Sequence, residues 1–392
     1  MKNILTTKHA NLELKTIPSL FSNTNTLTSD LDINNNNITS FQLKDIPLDV
    51  TNRENADVII TLDYIDGINP SDFKKVGTIA DKAKDYLTNY PYNPNDLFEV
   101  INRNLASELL NDCNLGLSKV LDSLSVNLDV EPKIIPFQFD NTVTLTPNGD
   151  ISDIVSFNLQ DVTSPIDGGI VTDVTINLDY IDGIDSSAFQ DVIPIGNYIK
   201  DFLENYPVEA GLYEVLNRDL TQALVNDSNF GLSKVLDSLS INLDVEPKII
   251  PFQFDSTVTR TVNGDINDIV SFQLEDILLP IDGANVTDVT VKLNFIDGID
   301  PSGFKDVIPL GNFVEDYLAH YSNPNDSFEV VNNNLGNALL TDSNLGLSKV
   351  LDSLTATLGA FSPSVIPFPL ENTVTFTPFL NSHQHESNMT SA

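Results

Sequence analysis

Residues 116–144, GLSKVLDSLSVNLDVEPKIIPFQFDNTVT, form the segment on which the fold prediction depends. A near-copy, GLSKVLDSLSINLDVEPKIIPFQFDSTVT, begins at Gly231, and a more divergent version begins at Gly346. Other segments recur at the same interval: DYIDGI begins at Asp63 and again at Asp179, and NFIDGI begins at Asn294. An interval of 115 or 116 residues is longer than the roughly 20–50 residues of a solenoid repeat. We therefore expect each copy to be a small domain or half-domain.

The period divides the chain into three units, which we call sequence repeats 1, 2 and 3. They cover residues 39–152, 153–267 and 268–378. The flanking residues 1–38 and 379–392 are rich in Asn, Ser and Thr, a composition that cannot bury enough apolar surface to order itself. We predict that these two segments are flexible tails.

Hydrophobic periodicity predicts the same elements in each repeat. In repeat 2, apolar residues alternate with polar ones along DIVSFNLQDV and TDVTINLDYID, which is the pattern of two half-buried strands. Two helical stripes come next, one ending at Pro207, and alternation then returns in SINLDV and FQFDSTVTRTV. Each repeat is therefore predicted to have the order β-β-α-α-β-β.

This order predicts an α+β protein in which each repeat has a four-stranded antiparallel sheet with two helices on one face. Open sheet edges invite aggregation and are usually paired or covered. We therefore predict that the three sheets close into a pseudo-threefold barrel with the helices outside. The repeated hairpin would then supply one third of the barrel in each copy.

Composition excludes several partners. The chain has 56 acidic and 20 basic residues, a formal net charge of −36, so we expect it to bind neither nucleic acid nor anionic membranes. The N-terminal sequence MKNILTTKHANLEL lacks the apolar region of a secretory signal, and no run approaches the length of a membrane span. These features predict a soluble cytoplasmic protein, with leaderless secretion as the alternative.

Metal and disulfide chemistry is not expected. Cys113 is the only cysteine, and Ser228 and Ser343 replace it in the other repeats. No histidine recurs in all three repeats, and the IDGID stretch at Ile181 lacks the full ligand pattern of a calcium loop. We predict neither a metal site nor a cofactor.

The element order, together with GLYEVLNRDLTQALVND and SINLDVEPKIIPFQFDSTVT in repeat 2, resembles the tunnelling-fold (T-fold) superfamily, and dihydroneopterin aldolase in particular. The resemblance covers the second helix and the following hairpin of each repeat. It implies that an early helical glutamate anchors the amino-pyrimidine edge of a pterin or purine. A carboxylate accepts two parallel hydrogen bonds from such an edge. In this chain the candidate anchors are Glu99, Glu214 and Glu329.

A structural role for the same glutamates is the alternative. Asp96 with Glu99, and Asp326 with Glu329, have the spacing of a capping box, in which the first residue is the N-cap and the glutamate is at N3. In repeat 2, Gly211 occupies the N-cap place and Glu214 remains. The spacing leaves open whether the glutamates cap helices, bind a ligand, or do both.

The resemblance argues against aldolase catalysis. Where the family uses a lysine, this chain has Glu131, Glu246 and Ser362; where it uses a tyrosine, this chain has Phe73, Phe189 and Phe304. Neither replacement can transfer the required proton. A shift of one or two residues in the alignment would instead recruit Lys133 and Lys248, or Tyr64 and Tyr180.

Three functions therefore stay open. The first is a non-catalytic or catalytically altered protein that binds a pterin or purine where neighbouring units meet. The second is an acidic structural scaffold without a small-molecule site, and the third is a pterin-pathway lyase. The resemblance also implies self-association by stacking of barrels.

Overall fold

The computed structural model describes residues 37–48, 55–91, 97–130, 137–164, 169–207, 212–247, 252–261, 263–275, 277, 279, 285–362 and 366–378. The predicted tails therefore lie outside the described residues, except for Asn37 and Ile38, which begin the first strand. The flexibility of the tails stays a prediction.

The described residues form twelve β-strands and six α-helices. The strands are β1 (Asn37–Pro47), β2 (Asn55–Tyr64), β3 (Leu121–Val130), β4 (Gln138–Leu145), β5 (Ile151–Gln160), β6 (Gly169–Tyr180), β7 (Leu236–Pro247), β8 (Gln253–Thr261), β9 (Ile266–Glu275), β10 (Asn285–Phe295), β11 (Leu351–Ser362) and β12 (Ile366–Phe376). The helices are α1 (Val76–Thr88), α2 (Phe98–Asn111), α3 (Val192–Glu204), α4 (Tyr213–Asn226), α5 (Val307–Ala319) and α6 (Phe328–Thr341). Two helices come between the two strand pairs of each repeat, so the order β-β-α-α-β-β occurs three times.

Each strand is hydrogen-bonded to its sequence neighbours in the order β1 to β12. The pairs whose register is described, such as β2–β3 and β8–β9, are antiparallel. The prediction of an α+β protein with antiparallel sheets is therefore confirmed. Closure into a barrel is not: β1 and β12 stand at the two ends of the order, and the sheet is not closed.

The repeated segment that begins at Gly116 leads into β3 and β4, which pair from Leu124↔Leu145 to Val130↔Phe139. Along β3, buried apolar residues alternate with less buried polar ones, as predicted for a strand with one covered face. Gly116 has a φ of 61°, and Gly231 and Gly346 have similar values, so the turn before this strand requires the left-handed conformation that glycine adopts without strain.

A buried asparagine fixes the second helix of each repeat on its hairpin. In α2, the amide of Asn102 donates to the carbonyl oxygens of Val126 at 3.0 Å and Asn141 at 2.7 Å, and to the side-chain oxygen of Asn141 at 2.8 Å. Asn217 in α4 and Asn332 in α6 make the same kind of contacts with β7–β8 and β11–β12. All three asparagines are fully buried, and the sequence pattern did not single them out.

The chain divides into two compact units, one formed by Met1–Phe157 with Leu178–Asp191 and the other by Asn158–Asn177 with Val192–Ala392. This division differs from that of the three sequence repeats, whose boundaries stay a prediction. Each unit contains one contact between neighbouring sequence repeats, and these two contacts hold the candidate site.

Replacing Asn102 by alanine should lower the free energy of unfolding by about 2 kcal/mol, because the side-chain oxygen of Asn141 loses its buried donor. Asn104→Ala in the same helix is the matched control, since Asn104 is exposed and surface substitutions usually change stability by less than about 0.5 kcal/mol. Urea denaturation followed by circular dichroism measures both values. Equal midpoints for the two variants would contradict a structural role for Asn102.

Candidate functional site

The three candidate glutamates occupy the second position of their helices, one residue after Phe98, Tyr213 and Phe328. The N-cap residues are Leu97, Leu212 and Ser327, and none of them makes a side-chain capping bond. The predicted capping box is therefore wrong in α6, because the helix begins one residue later than its spacing requires. Asp326 instead accepts hydrogen bonds from Tyr321 at 2.6 Å and Asn323 at 2.7 Å. Asp96 and Gly211 lie outside the described residues.

Glu99 and Glu214 are buried, with only 2% and 3% of their surface exposed. Burial raises the pKa of Glu99 to about 8, although its own backbone N–H opposes the shift and the nearby charges of Asp191 and Asp153 add to it. Burial likewise raises the pKa of Glu214 to about 7, with Asp306 and Asp268 adding to it. Near neutral pH, both carboxyl groups are therefore substantially protonated.

Glu329 differs from the other two glutamates. It is exposed, and its hydrogen bond to Ser327 holds its pKa below the ordinary value. The sequence predicted three candidate anchors and left open whether they are equivalent; the described structure has two buried carboxyl groups and one exposed carboxylate. The physical difference is the neighbouring repeat: Asp153 and Asp191 of repeat 2 lie near Glu99, and Asp268 and Asp306 of repeat 3 lie near Glu214. The causes of the pKa shift of Glu329 in the described structure include no such carboxylate.

An arginine one helical turn after Glu99 joins sequence repeats 1 and 2. Arg103 in α2 binds both carboxylate oxygens of Asp153 in β5, with Nε to Oδ1 at 3.3 Å, and its Nη1 donates to the carbonyl oxygen of Ile184. Its guanidinium carbon lies 4.7 Å from the centroid of the Phe189 ring. A planar guanidinium is suited to this combination of a bidentate carboxylate and a stacked aromatic ring.

The same arrangement joins sequence repeats 2 and 3. Arg218 in α4 binds Asp268 in β9 through both carboxylate oxygens, donates to the carbonyl oxygen of Ile299, and lies 4.6 Å from the centroid of Phe304. We call the sets Arg103–Asp153–Phe189 and Arg218–Asp268–Phe304 the first and second arginine locks. In both locks the aspartate is almost completely buried and the arginine largely so.

The locks explain two of the three phenylalanines that stand where the resemblance expects a catalytic tyrosine. Phe189 and Phe304 are 6% and 5% exposed, and each carries an arginine on its ring. Phe73, the equivalent residue of repeat 1, is 38% exposed. These rings have no proton to transfer, and the contacts of two of them are structural.

The hydroxyl groups of the two alternative tyrosines, Tyr64 and Tyr180, accept hydrogen bonds from backbone N–H groups. Tyr180 is fully buried, and its hydroxyl accepts a hydrogen bond from the N–H of Gln190 at 3.1 Å. Tyr64 accepts one from the N–H of Lys74 at 3.3 Å. Burial raises the pKa of both hydroxyl groups, which disfavours the ionised form.

The positions where the resemblance expects a lysine lie outside the described side chains. Glu131, Lys133 and Lys248 are not among the described residues, and Glu246 and Ser362 lie in β7 and β11 at positions whose side chains are not described. The expected loss of the catalytic lysine therefore stays a prediction.

Metal-binding clusters and membrane-spanning helices were both sought among the described residues. The described residues contain no group of three or more His, Cys, Asp and Glu side chains arranged to hold a metal ion. None of the helices in the described ranges combines the length and apolar character needed to cross a bilayer.

No protein-family model, curated protein or solved structure matches this chain. Function must therefore be inferred from the site residues themselves. The arginine locks had a detectable sequence signal: Arg103 and Arg218 recur, each is followed at 50 residues by an aspartate, and Asn333 replaces the arginine in the last repeat. The sequence alone did not show that each arginine pairs with the aspartate 50 residues later, because the two residues belong to different repeats.

Removing the arginine from a lock should destabilise the protein strongly. Arg218→Met leaves Asp268 buried without its cation, and breaking a buried ion pair in this way typically costs about 3–5 kcal/mol. Asn333→Met changes the exposed equivalent position in α6 and should change stability by less than about 0.5 kcal/mol. Chemical denaturation measures both variants.

The double variant Arg218→Met/Asp268→Leu tests the cause, because it removes both charges. It should recover most of the lost stability, since replacing a whole buried ion pair with apolar groups is often neutral. A double variant no more stable than Arg218→Met would show that the unpaired aspartate is not responsible.

The buried glutamates should make stability fall as pH rises. Their folded-state pKa values of about 8 and about 7 lie above the ordinary 4.5, so the folded protein retains protons that the unfolded chain releases between these values. Stability is therefore fully present below about pH 4.5 and is lost up to about pH 8. The loss is on the order of 5 kcal/mol for Glu99 and on the order of 3 kcal/mol for Glu214, because its pKa is raised less.

Denaturation at a series of pH values measures this loss as the difference between the native protein and the variant Glu99→Gln/Glu214→Gln. The variant should gain stability relative to the native protein as the solution is taken from about pH 5 to about pH 8, a window set by the raised pKa values. Glu329→Gln is the control and should lack this gain, because Glu329 is exposed. A constant difference across the pH range would contradict protonation of Glu99 and Glu214.

Proposed function

We propose that this chain binds a small planar heterocycle, a pterin or purine, through Glu99 and Glu214. One observation carries the proposal: the same buried carboxyl group recurs at two equivalent positions. The ion pairs of the described residues include neither Glu99 nor Glu214. A buried carboxyl group costs free energy unless something compensates it, and a ligand with matching donors supplies such compensation.

The chemistry of the two glutamates suits a ligand with adjacent N–H groups. An ionised carboxylate accepts two parallel hydrogen bonds from the ring N–H and the exocyclic amine of a pterin or guanine. The position of each glutamate in the first helical turn favours its negative charge. Because burial raises the pKa of Glu99 to about 8 and that of Glu214 to about 7, part of each carboxyl group is protonated in the free protein near neutrality, and binding of the ionised form releases that proton.

The proposal places two sites in the chain. Glu329 is excluded because it is exposed and already ionised near neutral pH. Each proposed site lies between neighbouring sequence repeats, since Asp153 and Asp191 approach Glu99, and Asp268 and Asp306 approach Glu214. Since the two glutamates are almost fully buried, binding requires the helix N-terminus to move away from these aspartates.

We propose binding without the aldolase reaction. Phe189 and Phe304 stand where the resemblance expects a tyrosine, and each packs under an arginine. The alternative, a pterin-pathway lyase, requires Lys133 or Lys248, which lie outside the described residues, to act as the catalytic lysine. Turnover of dihydroneopterin by the purified protein would overturn the non-catalytic proposal.

A structural scaffold is the second candidate function. It is favoured by the arginine locks, which use the arginine of each junction for packing, and by the nearly complete burial of both glutamates. In this case the protonated carboxyl groups only fill space near the helix ends. The acidic surface would then maintain solubility.

Calorimetric titration with neopterin, guanine and urate distinguishes the two candidates. Binding should saturate near two ligands per chain, and the measured heat should change between buffers of different ionisation enthalpy because a proton is released. Glu99→Gln/Glu214→Gln should abolish binding while the protein stays folded. Glu329→Gln should bind like the native protein.

Two outcomes would contradict ligand binding. One is no saturable heat with any of the three compounds, together with a double variant that is more stable than the native protein at about pH 8, the upper end of the titration window. The other is binding that the double variant retains unchanged. The first outcome supports the scaffold.

A further inference from the structure

Repeats 1 and 3 each have an exposed surface whose equivalents are covered at the two arginine locks. In each arginine lock, the second helix of one repeat covers an aromatic face of the next repeat. Phe189 and Phe304 are covered in this way, whereas the equivalent Phe73 in repeat 1 is 38% exposed. Two isoleucines on the same repeat, Ile38 and Ile65, are 58% and 40% exposed, and their equivalents in repeat 2, Ile154 and Ile181, are also exposed, at 39% and 37%. The Phe73 ring is therefore the part of this apolar face that is exposed in repeat 1 and covered in the other two repeats.

The covering helix at the other end is also exposed. Four side chains along one side of α2 and of α4 are buried or half-buried, namely Glu99, Val100, Arg103 and Ser107, and Glu214, Val215, Arg218 and Gln222. The equivalent residues of α6 are all exposed, namely Glu329, Val330, Asn333 and Asn337, and Val330 is 43% exposed. The side of α6 that is equivalent to the covered sides of α2 and α4 is therefore exposed.

The charged residues of the arginine locks are absent from these two exposed surfaces. In repeat 3, Asn333 stands where the other repeats have the arginine, and in repeat 1, Asn37 stands where the other repeats have the aspartate. The aspartates that raise the pKa of the buried glutamates, Asp191 and Asp306, align with Lys75. Glu329 would therefore meet an opposite charge where Glu99 and Glu214 meet a like charge.

Lys75 is a poor residue for its local position. It is the N-cap of α1 and makes no side-chain capping bond, whereas the aligned Asp306 accepts a hydrogen bond from the N–H of Ile308 at 2.9 Å. A lysine has no acceptor for the free N–H groups and places a cation at the positive end of the helix. A carboxylate supplied from outside the repeat would offset this local cost.

The strand edges fit the same junction. At the junction of repeats 2 and 3, β8 pairs with β9 from Gln253↔Gln273 to Arg260↔Ile266. The strands equivalent to β8 and β9 at the chain ends are β12 and β1, which are the two ends of the strand order. An unpaired edge offers N–H and C=O groups to another strand.

We propose that copies of this chain associate head to tail, with α6 and β12 of one copy covering the Phe73 face and β1 of a second copy. Glu329 pairs with Lys75 of the second copy, and Val330 packs near Phe73. This contact joins different surfaces, so it produces a closed ring or an open chain of copies. It differs from stacking of barrels, and it does not depend on heterocycle binding.

Charge reversal tests the proposal, with mass measured by sedimentation velocity. The native protein should form assemblies of two or more chains. Lys75→Glu and Glu329→Lys should each weaken association by about tenfold or more, because each brings like charges together. The double variant Lys75→Glu/Glu329→Lys restores opposite charges and should assemble like the native protein.

Mixing the two single variants makes the test specific for contacts between chains. The Lys75→Glu variant has glutamate at both ends, and the Glu329→Lys variant has lysine at both ends, so each should assemble with the other and not with itself. A native protein that sediments as a single chain at all concentrations would overturn the proposal. So would single variants that assemble normally, or a mixture that stays monomeric. Titrations with heterocycles should be unaffected, because Glu99 and Glu214 are unchanged.

Discussion

The buried pair between a guanidinium and a carboxylate is the side-chain interaction that joins each repeat to the next, in addition to the pairing of neighbouring strands. Arg103 and Arg218 each bind a buried aspartate, a backbone carbonyl and an aromatic ring that all belong to the following repeat. One side chain thereby fixes the position of a helix against a strand, a loop and a ring. The glutamate one turn earlier in each helix is buried beside the same aspartate: Asp153 lies near Glu99, and Asp268 lies near Glu214.

The periodicity of the sequence was sufficient to predict the elements but not their contacts. Alternating residues predicted the strands, helical stripes predicted the helix pairs, and the repeated hairpin completed the β-β-α-α-β-β order. Barrel closure was not confirmed, because the need to pair open edges does not say which partner pairs them. The asparagine that fixes each helix was missed, since a buried amide and an exposed amide look alike in a sequence.

The candidate site was predicted in part. Sequence alignment placed Glu99, Glu214 and Glu329 in register, but only the first two are buried. Equivalent residues in similar local sequences can therefore have different protonation, because protonation depends on the neighbouring repeat. The capping box of α6 failed for a local reason: its spacing is satisfied in the sequence, but the helix begins one residue later. The sequence has Lys75 where the other two repeats have Asp191 and Asp306. The significance of this difference could not be predicted, because only the structure places those aspartates beside a buried glutamate.

The sequential strand order has a consequence for folding. The two hairpins that begin near Gly116 and Gly231 are almost identical, so strands from different copies have nearly equal intrinsic affinity for one another. Each strand nevertheless pairs with its neighbours along the chain, and closing a short loop costs less entropy than closing a loop that is a whole repeat longer. Local pairing therefore competes well against exchange between copies. A nascent chain can complete one repeat before the matching strands of the next emerge from the ribosome.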